Sequence, residues 1–227
     1  MNTTYLKHLF KLRAHIGPKS AAASDFGFLF GTKHRQNIFD LQKTFKYLLK
    51  ACFFLFQSYS TTRGRILFVS THPKLDYLAK KTALAVGESY VIEKWTSGTL
   101  TNWRETQKAY KFYTSIKASQ TQSSPSETGT REQRLYFQLK KRFVGLASIH
   151  HRPNLIVVLN PKSNRILLNE AKILHIPVIS FVEGDFNSSL IPYPIPCNTK
   201  SYDFMNFCMQ IFMRCIKKAQ NSLTQAS

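Results

Sequence analysis

Acidic residues are scarce in this chain: 12 Asp and Glu stand against 32 Lys and Arg in 227 residues, a formal charge of +20. Such an excess makes a compact fold repel itself unless a polyanion neutralises it. Nucleic acid is the first candidate, because Lys and Arg contacts to phosphate release condensed counterions. An anionic membrane surface is the second. Cysteine is also scarce. Cys52, Cys197, Cys208 and Cys215 show no C-x-x-C spacing and no secretory signal is visible, so reduced thiols are expected rather than a disulfide framework. Long apolar runs are missing. The most apolar stretch, "YLLKACFFLFQSY" at 47–59, is broken by Lys50 and falls short of the roughly 20 residues a membrane span needs.

Glycine-rich signatures are missing too. The loop after the first clear strand, "STHPKLD", has no glycine, and neither G-x-G-x-x-G nor G-x-x-x-x-G-K-[ST] occurs. Without those glycines a backbone cannot approach a pyrophosphate closely. The serine-nucleophile motif G-x-S-x-G is absent as well. His150-His151 is the one close histidine pair, and no Cys or Glu is suitably spaced beside it for a metal. Glu183 and Asp185 follow the strand ending at Val182, the correct end for an α/β active site, but a solvated loop explains them better. Glu170 falls within a helical period and is expected at the surface.

What is present is a 43% hydrophobic content, enough for a sizeable core, arranged as alternating helices and strands. Residues 5–14 read as a short basic helix. "FGFLFGTKHRQNIFDL" gives two apolar pieces around the basic turn Lys33-His34-Arg35, a hairpin pattern. Ile38, Leu41, Phe45, Leu48, Cys52 and Phe56 recur at three and four, predicting an amphipathic helix over about 39–57. A strand at 66–70 precedes a helix from Pro73 to about Gly87. "SYVIEKW" reads as a strand and "LTNWRETQKAYKFYTSIKAS" as a helix. The polar loop 120–130 separates that helix from "REQRLYFQLKKRFVGLASI", so the two form an antiparallel helical hairpin. "NLIVVLN" and "IPVISFV" are strands flanking the helix "SNRILLNEAKIL". "LIPYPIPCN" reads as a proline-rich loop, and a last helix covers about 200–218. Continuous apolar strands between helices indicate a parallel sheet covered on both faces.

The segment "EKWTSGTLTNW", 93–103, holds both tryptophans. Trp95 is expected to anchor a strand end in the core. Gly98 would let the backbone turn, and Thr101 or Asn102 would cap the helix that follows. Thr96, Ser97 and Thr99 add hydroxyls, and Lys94 and Arg104 add charge, so the loop also reads as a phosphate-facing helix start.

"RILFVSTHPKLDYLAKKTALAVGESYVIEKWTSGTLTNW" resembles the small ribosomal subunit protein 2 family, with its "ILFVGTK" turn and "W-L-G-G-T-L-T-N-W/F" loop. Trp95, Gly98, Thr99, Leu100, Thr101, Asn102 and Trp103 carry the match. "FLFGTKHRQNIFDLQKT" is similar to the family's "IFGxRNxxHIIDLxKT" through Phe30, Gly31, Asp40, Leu41, Lys43 and Thr44. "PNLIVVLNPKSNRILLNEAKILHIPVISFVE" and "LIPYPIPCN" match two later motifs in the family's order. Departures are Thr96-Ser97 for Leu-Gly, "VEGDF" for "VDTN", "IGP" for "FGH", and no acidic C-terminal tail.

The resemblance implies a flavodoxin-like α/β fold: a parallel sheet with helices on both faces and a protruding antiparallel helical hairpin. It divides the chain into 1–36 (basic helix and hairpin), 37–103 (first part of the α/β domain), 104–152 (helical hairpin insert) and 153–227 (second part with the C-terminal helix). It implies a non-catalytic role on the small ribosomal subunit, at the head–body junction, with small-subunit rRNA and neighbouring ribosomal proteins as partners. No cofactor, metal, membrane or small-molecule substrate is expected. Candidate rRNA contacts are Lys19, Lys33, His34, Arg35, Arg63, Arg65, Lys94, Ser97, Thr99, Asn102, Arg104 and Lys108. The alternative is a nucleotide- or metabolite-binding α/β enzyme with a non-standard phosphate loop. "LKHLFKLRAHIG" aligns with the family's own first helix, which leaves little for a removable presequence. A mitochondrial ribosome is the expected home, with a plastid as the alternative.

Overall fold

A computed structural model describes residues 3–19, 27–62, 64–122, 131–146, 151–183 and 190–225. The helices are α1 (Thr3–Lys11), α2 (Leu41–Thr62), α3 (Pro73–Val86), α4 (Trp103–Gln122), α5 (Arg131–Phe143), α6 (Arg165–Ile173) and α7 (Tyr202–Gln225). The strands β1 (Ile16–Lys19), β2 (Leu29–Lys33) and β3 (Gln36–Phe39) form a small antiparallel sheet in the order β1-β3-β2. The strands β4 (Ile66–Val69), β5 (Ser89–Val91), β6 (Leu155–Val158), β7 (Val178–Val182) and β8 (Tyr193–Pro196) form a parallel sheet in the order β5-β4-β6-β7-β8. Renumbered along the chain, that order is 2-1-3-4-5, the flavodoxin-like form of a doubly wound sheet.

Alternation along the strands divides the core. Ile66 and Phe68 of β4, Leu155 and Val157 of β6 and Ile179 and Phe181 of β7 face one layer, built on α2, α3 and α7. Leu67, Val69, Ile156, Val158 and Val178 face the other, built on α4, α5 and α6. Every residue of β4, β6 and β7 is buried, as two covered faces require. No helix among the described residues is long and apolar enough to cross a membrane.

"LIPYPIPCN" is not the loop its prolines suggest. It supplies β8, in register with β7 through Ile179↔Tyr193 and Val182↔Pro196. A proline has no N–H for a ladder, but β8 is an edge strand, where one side needs no partner. The other edge, β5, is covered by a 3-10 turn at Val144–Leu146. A side chain at Gly145 would start 2.0 Å from the Tyr90 carbonyl, so only glycine lets the turn lie so close. Covering an edge in this way blocks pairing with other chains.

The motif "DLQKT" joins the two sheets. Asp40 Oδ1 accepts from Gln42 N at 2.9 Å and so caps α2. Lys43 Nζ reaches the Gly27 carbonyl at 2.6 Å, and the buried Thr44 donates to the Pro196 carbonyl of β8 at 2.7 Å. Asn198 Nδ2 donates to Arg13 O and Ser201 Oγ to Leu12 O, tying the chain after β8 to the segment after α1. The α4–α5 hairpin stands between β5 and β6 in the chain. Its near half packs Tyr110, Tyr113, Leu139 and Phe143 onto the sheet, while Thr114, Ser115, Lys117 and Ala118 are exposed.

Candidate nucleic-acid interface

Four of the sequence-derived basic residues gather on the small sheet. Gln36 of β3 pairs with Lys33 of β2 on one side and with Lys19 of β1 on the other. The two lysines therefore lie abreast across three strands, at the end where His34 and Arg35 make the turn. All four are exposed. His34 and Arg35 adopt φ of 50° and 62°, the left-handed pair that a tight two-residue hairpin demands and that Asn-Gly normally fills. The fold thus holds two basic residues at a tip where glycine would be less strained. On the same strand Phe30 is 79% exposed. An exposed aromatic on a strand that ends in a basic turn suits stacking on an unpaired base. The sequence offered Phe30 only as a family match; the register irregularity between Leu29 and Gly31, where it sits, is not legible in the sequence.

The tryptophan loop is a second surface, organised from within. Trp95 is 7% exposed and packs in the layer with Leu100, Leu167 and Leu168. Glu170 of α6 is not a surface residue, as its polarity suggested, but 5% exposed. Its Oε1 accepts from Trp95 Nε1 at 3.2 Å and Gly98 N at 2.8 Å, and its Oε2 from Leu100 N at 2.9 Å and Thr101 N at 3.3 Å. Four donors onto one buried carboxylate satisfy its charge, with no ion pair to it among the described residues. The loop amides therefore turn inward onto an anion the protein itself supplies. They are not the phosphate cradle that a glycine between hydroxyl residues suggests. The signal was present in α6: position 170 lies three after Leu167 and one before Ala171, both buried.

Gly98, at φ 82°, makes the turn these bonds require. Thr99 is 3% exposed and its hydroxyl donates to Thr96 O at 2.6 Å, so it frames the loop from inside. Asn102 stands immediately before α4, and its carbonyl accepts from Thr106 N at 3.1 Å. The loop shows solvent Lys94, Ser97, Asn102 and Arg104. Lys108 is exposed one turn further on and pairs with Glu105 at 2.8 Å, both side chains well solvated.

A residue that sequence reasoning missed completes this surface. Arg142, near the end of α5, lines a concavity of about 360 Å³ with Ser97, Gly98, Asn102 and Glu105. Its guanidinium lies over the Phe143 ring at 5.0 Å, and its buried Nε has no hydrogen-bond partner among the described residues. Partial burial lowers its pKa from the ordinary arginine value. The cue was its place in the basic run "KKR" at the helix end.

The remaining residues lie elsewhere. Arg65, exposed at φ 71°, immediately precedes β4. It therefore sits at the amino end of the parallel sheet, opposite the tryptophan loop. Its neighbour Glu88 accepts from Ile66 N at 2.8 Å, and desolvation raises the Glu88 pKa above the usual carboxylate value. Arg63, Asp185 and His150 fall outside the described residues. At the switch point between β4 and β6, where a doubly wound enzyme binds its phosphate, side chains bridge the gap. Asn160 Oδ1 accepts from Thr71 N at 3.0 Å, and Asn160 and Asn164 Nδ2 both donate to Thr71 Oγ1. Among the described residues no cluster of three or more His, Cys, Asp or Glu could hold a metal.

Fold and surface together define a class: a basic flavodoxin-like α/β protein that presents cations on a strained hairpin and a clamped loop, with no catalytic constellation assembled at the sheet ends among the described residues. Within that class the chain belongs to the ribosomal protein S2 family, whose model matches residues 9–219. It is 29% identical over 216 residues to small ribosomal subunit protein uS2m of Marchantia polymorpha, covering 91% of this chain and 89% of the relative. It is 31% identical over 183 residues to uS2 of Mesoplasma florum (79% and 68%), and 26% identical over 223 residues to uS2c of Cyanidium caldarium (96% and 91%).

Proposed function

We propose that this chain is a structural constituent of the small ribosomal subunit, not an enzyme, and that it binds small-subunit rRNA at the head–body junction. The family match across residues 9–219 carries this reading. The charge of +20 agrees with it, since a surface that meets folded rRNA must neutralise many phosphates. The contacts are divided between two faces. Lys19, Lys33, His34 and Arg35, with Phe30, form one. Lys94, Ser97, Asn102, Arg104, Lys108 and Arg142 form the other. Thr99 supports the second from beneath, Arg65 forms a separate contact at the amino end of the sheet, and Arg63 is proposed as a contact from the sequence alone.

The protein works in a mitochondrial ribosome, with a plastid ribosome as the alternative. Likeness to uS2m favours the first, and likeness to uS2c keeps the second in view. Ultraviolet crosslinking of the tagged chain in isolated organelles, followed by sequencing of the attached RNA, tests both statements. Reads from mitochondrial small-subunit rRNA, with crosslinked peptides containing Phe30 or residues 97–104, are the expected result. Crosslinks confined to messenger or transfer RNA would contradict the assignment.

A further inference from the structure

The crevice at the carboxyl ends of β6 and β7 takes no part in the surface described above. It encloses about 480 Å³, within the roughly 300–1,000 Å³ typical of small-ligand sites. It adjoins the switch point, where open α/β sheets bind ligands. Its floor is apolar, formed by Leu75, Pro161 and Phe181, and the half-exposed Tyr202 stands at the rim.

The polar groups have two kinds of chemistry. Glu183, 8% exposed at the end of β7, accepts from Lys162 Nζ at 3.0 Å, and its other oxygen accepts from the Thr199 hydroxyl. A carboxylate offers about four acceptor directions, and two are unused among the described residues. Lys74 and Lys200 also line the crevice, and neither forms an ion pair among the described residues. Lys74 N is bonded to His72 Nδ1 and Met205 N to Ser201 O. Anion binding here therefore falls to the lysine side chains.

We propose that this crevice binds one nucleoside monophosphate unit. The base lies over the apolar floor against Tyr202, the phosphate sits between Lys74 and Lys200, and a sugar hydroxyl or base amine donates to Glu183. An aromatic face and a lysine pair suit a mononucleotide, and the glycine-free loop before Pro73 matters little because no pyrophosphate is held. The same chemistry comes from a free mononucleotide or from a nucleotide extruded from single-stranded RNA. The proposal does not rest on the rRNA surface proposed above. A titration without ribosomes tests it, so failure of one reading leaves the other standing.

The experiment is isothermal titration of the full chain with adenosine 5′-monophosphate, and separately with adenosine and inorganic phosphate. One saturable site for the monophosphate is expected, with each fragment weaker by about tenfold or more because it keeps only part of the contacts. Tyr202→Ala, and Lys74→Ala combined with Lys200→Ala, should each weaken the monophosphate by about tenfold while thermal melts stay unchanged, since these side chains are exposed. A single-stranded RNA hexamer is then added as competitor. Displacement of the monophosphate identifies RNA as the source, and its persistence identifies a free nucleotide. Absence of saturable binding of the monophosphate, or equal binding by wild type and the lysine variant, would overturn the proposal.

Discussion

Trp95 donates its indole N–H to Glu170 Oε1 at 3.2 Å, joining positions 75 residues apart in the chain. The same carboxylate holds three loop amides. The shape of the loop therefore depends on a residue of another helix, and replacing that residue tests the arrangement. Glu170→Gln keeps the volume but turns an amide donor toward backbone donors. Hydrogen bonds to a charged group are each worth about 1.5–3 kcal/mol and stranded donors cost a further ~1–3 kcal/mol, so a loss of roughly 2–4 kcal/mol is expected. Chemical denaturation measures it. A change below about 0.5 kcal/mol, the range of ordinary surface substitutions, would mean that the carboxylate does not organise the loop.

Anchor and contact separate on the same loop. Trp95→Ala empties a core site and should cost about 3–5 kcal/mol. Ser97→Ala with Arg104→Ala removes exposed groups and should leave the melting temperature almost unchanged while weakening rRNA binding in a filter assay. Thr99→Ala belongs with the first group, because its hydroxyl is used inside the loop. The assignment fails if Trp95→Ala and the Ser97/Arg104 variant share one profile.

On the small sheet the test is a salt titration. Replacing Lys19 and Lys33 by Ala and Arg35 by Asn, which tolerates left-handed backbone, should weaken rRNA binding. Each phosphate that a cation no longer neutralises lowers the slope of log K against log salt by about 0.7–0.9, so the triple variant should reduce it by roughly 2–3. An unchanged slope would remove these residues from the interface.

Cys215 provides a pH-dependent readout of the α2–α7 packing. Cys197 and Cys208 are buried, and burial pushes their thiols up. Cys215 is partly exposed, and a hydrogen bond from Cys52 with the nearby Lys218 lowers its pKa to about 7. The thiolate is the nucleophile, so native-state alkylation should begin at Cys215 and its rate should rise through pH 7. Mass spectrometry of the labelled peptides gives the order. Earlier labelling of Cys197 or Cys208 would contradict the packing of α7.

Much of the fold was legible because local and global signals agreed. The stripe from Leu41 to Phe56 became α2, although Ile38, expected at its start, belongs to β3; Pro73 and Gly87 bracket α3, and the continuous apolar runs became β4, β6 and β7. The basic turn at His34-Arg35 became a hairpin tip. The misses have physical causes. Prolines at 194 and 196 argue against a strand only where both sides of the ladder need N–H groups, and sequence alone does not reveal an edge. Glu170 and Thr99 read as surface groups because polarity outweighed their place in the periodicity, and their donors and acceptors come from segments distant in sequence or from the loop's own backbone. Arg142 joined the tryptophan loop only through the packing of α5 on α4, which spacing along the chain does not encode.

Membership of the S2 family makes this chain a built-in part of the small ribosomal subunit. Sedimentation of the tagged, full-length protein from gently lysed mitochondria through a sucrose gradient tests it most directly. The chain should co-migrate with small-subunit rRNA, stay there through moderate salt, and shift to the top of the gradient when the RNA is digested. A chain that stays at the top in intact lysate, or sediments with an assembly lacking small-subunit rRNA, would not be a ribosomal constituent.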